Sequence, residues 1–158
     1  MKQLLLFLSF VLYLSSCGNC GSNCPCKIKE SILFDHMALK CKDVKVSAAW
    51  YQKVFETVEI ENKTGNQAIT WVSLGDAELH LTPFRDTLPV VPHKSHHIAI
   101  ANHDIVGLTA RLDAMGVTWE SWSGTQHKIA SRPDGVKQIY FQDPDGYWIE
   151  VNDAGFSE

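Results

Sequence analysis

With 158 residues, 45% of them hydrophobic, the chain carries enough apolar material to bury the core of one ordinary domain. Its formal net charge is −4 and its 14 Lys and Arg residues are scattered, so it lacks the basic patch that nucleic-acid binding requires, and that class is excluded.

The opening segment, MKQLLLFLSFVLYLSS, carries Lys2, an apolar run from Leu4 to Leu14, and two serines before Cys17. A run this short and this early reads as a secretory signal peptide over residues 1–16 rather than as a membrane span. Its end, LSSC, resembles the lipobox of bacterial lipoproteins; that implies lipidation of Cys17 and an exported, membrane-anchored protein facing the periplasm or the cell exterior. A plain signal peptide cut nearby is the alternative. Residues 17–31 include CGNCGSNCPC, rich in Gly, Ser and Asn and without apolar periodicity, and are expected to form a flexible tether. In an oxidising compartment Cys20, Cys24 and Cys26 can pair, their spacing matches no zinc template, and the connectivity, Cys41 included, stays open.

From residue 32 onward the chain repeats itself. FDHMALK at 34–40 matches SHHIAIA at 95–101, with His36 over His97 and the same apolar alternation behind each. A helix follows each strand. In the first, Asp43 caps a segment in which Val46, Ala49, Trp50 and Val54 recur; in the second, Asp104 precedes Ile105, Leu108, Leu112 and Met115, with Gly116 as the stop. Three strand candidates follow each helix: VEIEN, AITWVSL and AELHLTPF in the first copy, VTWESW, VKQIYFQ and YWIEVN in the second, the last entered through the turn signal Asp143-Pro144-Asp145-Gly146. Both copies therefore read βαβββ, module one over 32–84 and module two over 94–153, joined by the Pro-containing connector FRDTLPVVPHK.

Aligning the last strands sets Leu79-His80-Leu81 over Ile149-Glu150-Val151. His36, His80, His97 and Glu150 then hold equivalent positions, on the first and last strand of each module and on the face opposite the apolar one. A single histidine on a strand is ordinarily a core residue with one hydrogen bond. Four polar groups in a repeated register are costly to bury without partners, and a metal ion satisfies all four at once. Mixed imidazole and carboxylate donors suit Zn, Ni, Co, Mn or Fe as the divalent cofactor. Glu78 and Thr82 share the face of His80, and Trp148 shares that of Glu150; His96 points the other way by alternation. Trp50 and Tyr51 read as helix packing, and the loop GTQHKIASRPDGVKQ as a solvated surface segment.

The stretches DHMAL, SAAWYQKVF, ELHL, HHIAI and above all FQDPDGYWIEV resemble the vicinal oxygen chelate superfamily, which includes glyoxalases, bleomycin-resistance proteins and extradiol dioxygenases. The resemblance spans about residues 32–153 and implies an α+β fold in which two βαβββ modules form a curled, cup-like mixed sheet with helices outside. It implies His36, His80, His97 and Glu150 as the ligands of one divalent ion, and a metal-dependent lyase or isomerase acting on a small molecule chelated through vicinal oxygens, with Glu150 as both ligand and general base. Bacterial glyoxalase I has glutamate where this chain has His80, so the site here carries more positive charge and one carboxylate fewer. Fosfomycin-modifying members place threonine two residues after the first histidine, where this chain has Ala38. An extradiol-type dioxygenase is an alternative within the superfamily; such enzymes use two histidines and a glutamate, which leaves His80 as an extra donor. A non-catalytic drug-binding protein of the bleomycin-resistance type is the alternative from a different class. The connector allows the modules to pair within one chain or across a homodimer.

Overall fold

The computed structural model describes residues 33–84 and 93–156; the signal-peptide and tether readings, and the pairing of Cys17, Cys20, Cys24 and Cys26, lie outside the described residues. Strand β1 (His36–Cys41) leads into helix α1 (Val44–Phe55), then β2 (Glu59–Ile60), β3 (Thr70–Leu74) and β4 (Ala77–Pro83). The second half repeats the plan: β5 (His97–Ala101), α2 (Ile105–Ala114), β6 (Trp119–Glu120), β7 (Ala130–Ser131), β8 (Lys137–Gln142) and β9 (Trp148–Asn152). Two mixed sheets result, in the orders β1-β4-β3-β2 and β5-β9-β8-β6, with β7 paired to β8. In each sheet the first strand runs parallel to the last, as a helical crossover requires, and the other pairs are antiparallel.

The helix starts follow from their caps. Asp43 accepts the backbone N–H groups of Lys45 and Val46 at 2.9 and 3.1 Å, and Asp104 accepts that of Gly107 at 2.8 Å. Helix α2 buries the expected Ile105, Leu108 and Leu112, and Gly116 follows it at φ 68. Helix α1 is rotated from its expected phase: Ser47, Ala48, Tyr51 and Val54 are buried, whereas Val46 is 56% exposed. Tyr51 decides that phase, because its ring fills the core while its hydroxyl donates to Asp143 at 2.8 Å. The expected strands VEIEN and VTWESW shorten to two residues each, and the loop after the second contributes the extra strand β7.

Alternation sorts each sheet into two faces. Leu39, Cys41, Leu79 and Leu81 of the first sheet and Ile139, Phe141, Ile149 and Val151 of the second join the helices in one core. The Asp143–Gly146 turn ties the modules together: Asp145 accepts from Lys42 N–H at 2.8 Å and from the Ser47 hydroxyl at 2.6 Å, beside the Tyr51–Asp143 bond. Cys41 is a free, fully buried thiol, and burial raises its pKa to about 12, so it stays protonated.

Candidate metal centre

The faces opposite the core carry the four expected donors in one repeated register. In the parallel pair β1–β4, His36 lies across from Glu78 and Ala38 across from His80. In β5–β9, His97 lies across from Trp148 and Ala99 across from Glu150. Each leading histidine is therefore offset by the same two residues from the donor on the last strand of its sheet.

In module one the ring of His36 stacks on His80 with centroids 4.1 Å apart, and His80 stacks on Trp71 at 3.9 Å. His36 Nδ1 meets Asp35 at 2.6 Å, and His80 Nε2 meets Glu78 at 2.8 Å, so each imidazole keeps its other nitrogen available. The bond with His36 holds the exposed Asp35 carboxyl below its ordinary range. The indole N–H of Trp71 is buried without a hydrogen-bond partner.

In module two, His97 Nε2 lies 3.1 Å from Glu150 Oε2, and its Nδ1 donates to the Lys94 carbonyl at 2.7 Å. With Nδ1 as donor, Nε2 of the neutral ring and the carboxylate face each other as two acceptors, a gap that a proton or a cation fills. Glu150 is 6% exposed and held at both oxygens: Tyr140 donates its hydroxyl to Oε2 at 2.6 Å, and Asn152 donates its amide to Oε1 at 2.7 Å. Burial, then the bond to Glu150, raises the pKa of Tyr140, so the phenol remains a donor.

The structure brings the four expected donors together as two pairs, His36 with His80 and His97 with Glu150. Among the described residues no group of three or more His, Cys, Asp or Glu side chains is arranged to hold one ion. Each pair has suitable donor chemistry: imidazoles whose second nitrogen is engaged and, in module two, an oriented carboxylate. A cavity of about 620 Å³ adjoins both modules, lined by Glu78 and His97 together with apolar Met37, Phe55, Leu74 and Ile100.

Residues 33–151 match the family model of the Glyoxalase/Bleomycin resistance protein/Dioxygenase superfamily. The chain belongs to this superfamily. It is similar to the Bacillus subtilis (strain 168) protein YwbC, 27% identical over 123 residues that cover 73% of this chain and 93% of that one. It is also similar to Glyoxylase I 4 of Arabidopsis thaliana, 25% identical over 123 residues, covering 74% of this chain and 68% of that one. Among solved structures the superfamily fold recurs in Oxidase ChaP-H2, with a TM-score of 0.65 and 18% identity over 81% of this chain and 98% of that one. Trp148 lies, as expected, on the face of Glu150 two residues along the same strand, whereas His96 falls in the bend before β5.

Three residues beside the expected donors were not singled out by sequence. Tyr140 and Asn152 hold the Glu150 carboxylate, and Lys94 holds His97. The signal for the first two was available in principle: Tyr140 alternates with core residues Ile139 and Phe141, and Asn152 stands two residues after Glu150 on the same strand face.

Proposed function

We propose that the chain is a metal-dependent lyase or isomerase of glyoxalase type, acting on a small substrate that offers two neighbouring oxygens. The repeated register of His36 with His80 and of His97 with Glu150 carries this reading. Because the two pairs are separate, we propose that one divalent ion is held between His36 and His80 of one copy and His97 and Glu150 of a second. When bound, the ion supplies Lewis-acid stabilisation of negative charge developing on substrate oxygen. Glu150 takes up the substrate proton. Its partners prepare it for this: Tyr140 and Asn152 fix the carboxylate before substrate arrives, so no reorganisation is needed at the moment of transfer. The N-terminal segment supports an exported, lipid-anchored protein, which favours an extracytoplasmic substrate over glutathione adducts.

Two measurements test the assignment. Metal analysis of purified protein should give a stoichiometric transition metal that His36→Ala and His97→Ala lose. Glu150→Gln, assayed with metal-reconstituted protein on dicarbonyl adducts, catechols and fosfomycin, should lose at least about a hundredfold in turnover; a variant with its metal and full activity retained ends the base role. The apolar cavity of about 620 Å³ favours one competing reading, a drug-binding module that needs no ion. It predicts ligand binding unaffected by His36→Ala and by chelators.

A further inference from the structure

Lys94 closes the connector and stands three residues before His97. Lysine is almost always exposed, yet this side chain is only 15% accessible. Its three ammonium donors are all engaged: one on the Glu120 carboxylate, one on the Ser121 carbonyl at 2.9 Å and one on the Trp122 carbonyl at 3.1 Å. Three aromatic rings surround it, with centroids 4.9 Å away for Trp148, 5.4 Å for Tyr140 and 5.9 Å for Trp122. A lysine so fully occupied has no donor left for a substrate. What it does instead is anchor its own backbone, in a turn closed by His96 N–H on the His93 carbonyl at 2.7 Å. The Lys94 carbonyl in that turn takes the Nδ1 proton of His97.

We propose that Lys94 is the positioning residue of His97: its side chain, locked between Glu120 and the three rings, fixes the carbonyl that selects the Nδ1–H tautomer and turns Nε2 toward Glu150. The proposal rests on the reading of His97 as a ligand. It also gives the aromatic wall a purpose, since Tyr140 then supports both members of the pair, His97 through Lys94 and Glu150 through its hydroxyl. The superfamily resemblance gave Lys94 no role, and its place at the end of a connector gave none either.

The test uses the full chain and two readouts. Long-range ¹H–¹⁵N spectra, recorded above the ordinary imidazole range, report the His97 tautomer without any metal. Titration with Co(II) reports affinity, and the visible spectrum of the complex reports donor geometry. In Lys94→Met, which keeps the apolar stem, the single Nδ1–H form of His97 should give way to a tautomer mixture. Co(II) affinity should fall about tenfold or more with a changed spectrum, and Lys94→Arg should recover most of both. A folded Lys94→Met protein with the His97 tautomer and Co(II) spectrum of the parent overturns the proposal. Should Lys94→Met lose its cooperative thermal transition, Glu120→Gln removes the ionic partner while keeping an acceptor, and it is expected to move the same two readouts in the same direction. Wild-type protein that binds no Co(II) would sink the metal reading, whereas the tautomer measurement would still decide the role of Lys94.

Discussion

Tyr140 is where one atom has the most consequence. Its hydroxyl is the donor that a nearly buried carboxylate oxygen relies on, and a hydrogen bond to a charged group is worth about 1.5–3 kcal/mol. Tyr140→Phe keeps the ring that packs edge-on against His97 at 5.5 Å and removes only that donor. We expect it to lower unfolding free energy by roughly that amount, read from the denaturant midpoint at constant slope. With Glu150 as the proposed ligand, metal affinity should weaken about tenfold because its carboxylate loses its orientation. A variant with unaltered midpoint would mean that water replaces the hydroxyl without loss. Asn152 offers a second handle on the same group, through the opposite oxygen.

At the scale of elements, the Asp143–Gly146 turn does more than reverse the chain. It delivers Asp145 to Lys42 and Ser47 at the start of α1 and Asp143 to Tyr51 further along it, so a hairpin of module two locks a helix of module one. Burial raises the pKa of Asp143 against the lowering effect of the Tyr51, Asp145 and Tyr147 donors. The folded state therefore holds this proton more tightly than the unfolded chain. The stability it contributes is full below the unfolded value near 3.8 and is lost as pH rises through the folded one. Asp143→Asn keeps an acceptor for both backbone N–H groups and lets the Tyr51 hydroxyl accept instead. Wild type minus variant stability, measured by urea unfolding from acid to neutral pH, should fall with rising pH; a flat or rising difference would contradict the shift. The same elements indicate what the sequence made legible. The caps Asp43 and Asp104, the long apolar strands and the turn were readable because each rests on contacts local in the chain. The phase of α1 was not, because Tyr51 is fixed by Asp143 from the other module. Strands of two residues were not either, since they exist only through pairing with a neighbour. The equivalent strand positions of the four expected donors were legible because duplication repeats the register, but register within a sheet says nothing of the distance between sheets.

That distance is the question at the scale of the whole molecule. Among the described residues, strands β1 and β5 each lie at the edge of their sheet, and each begins with one of the expected ligands. An edge strand presents unpaired backbone groups to another chain. Beside β5 lies the cavity lined by Met37, Phe55, Leu74, Ile98 and Ile100, and Phe34 at its border is 65% exposed. If two copies share ions across these surfaces, each site draws His36 and His80 from one copy and His97 and Glu150 from the other. A protein with His36→Ala and His80→Ala should then bind no metal alone, and neither should one with His97→Ala and Glu150→Ala. Unfolded together and refolded as an equal mixture, random pairing makes about half of the dimers mixed, each with one intact and one empty site. About a quarter of wild-type metal content and turnover should return. If instead all four donors of one chain close on a single ion after a rearrangement, every chain in the mixture lacks two of them, and nothing returns. The mixture therefore separates the two arrangements by the presence or absence of signal, and sedimentation of the refolded material confirms whether the copies associate.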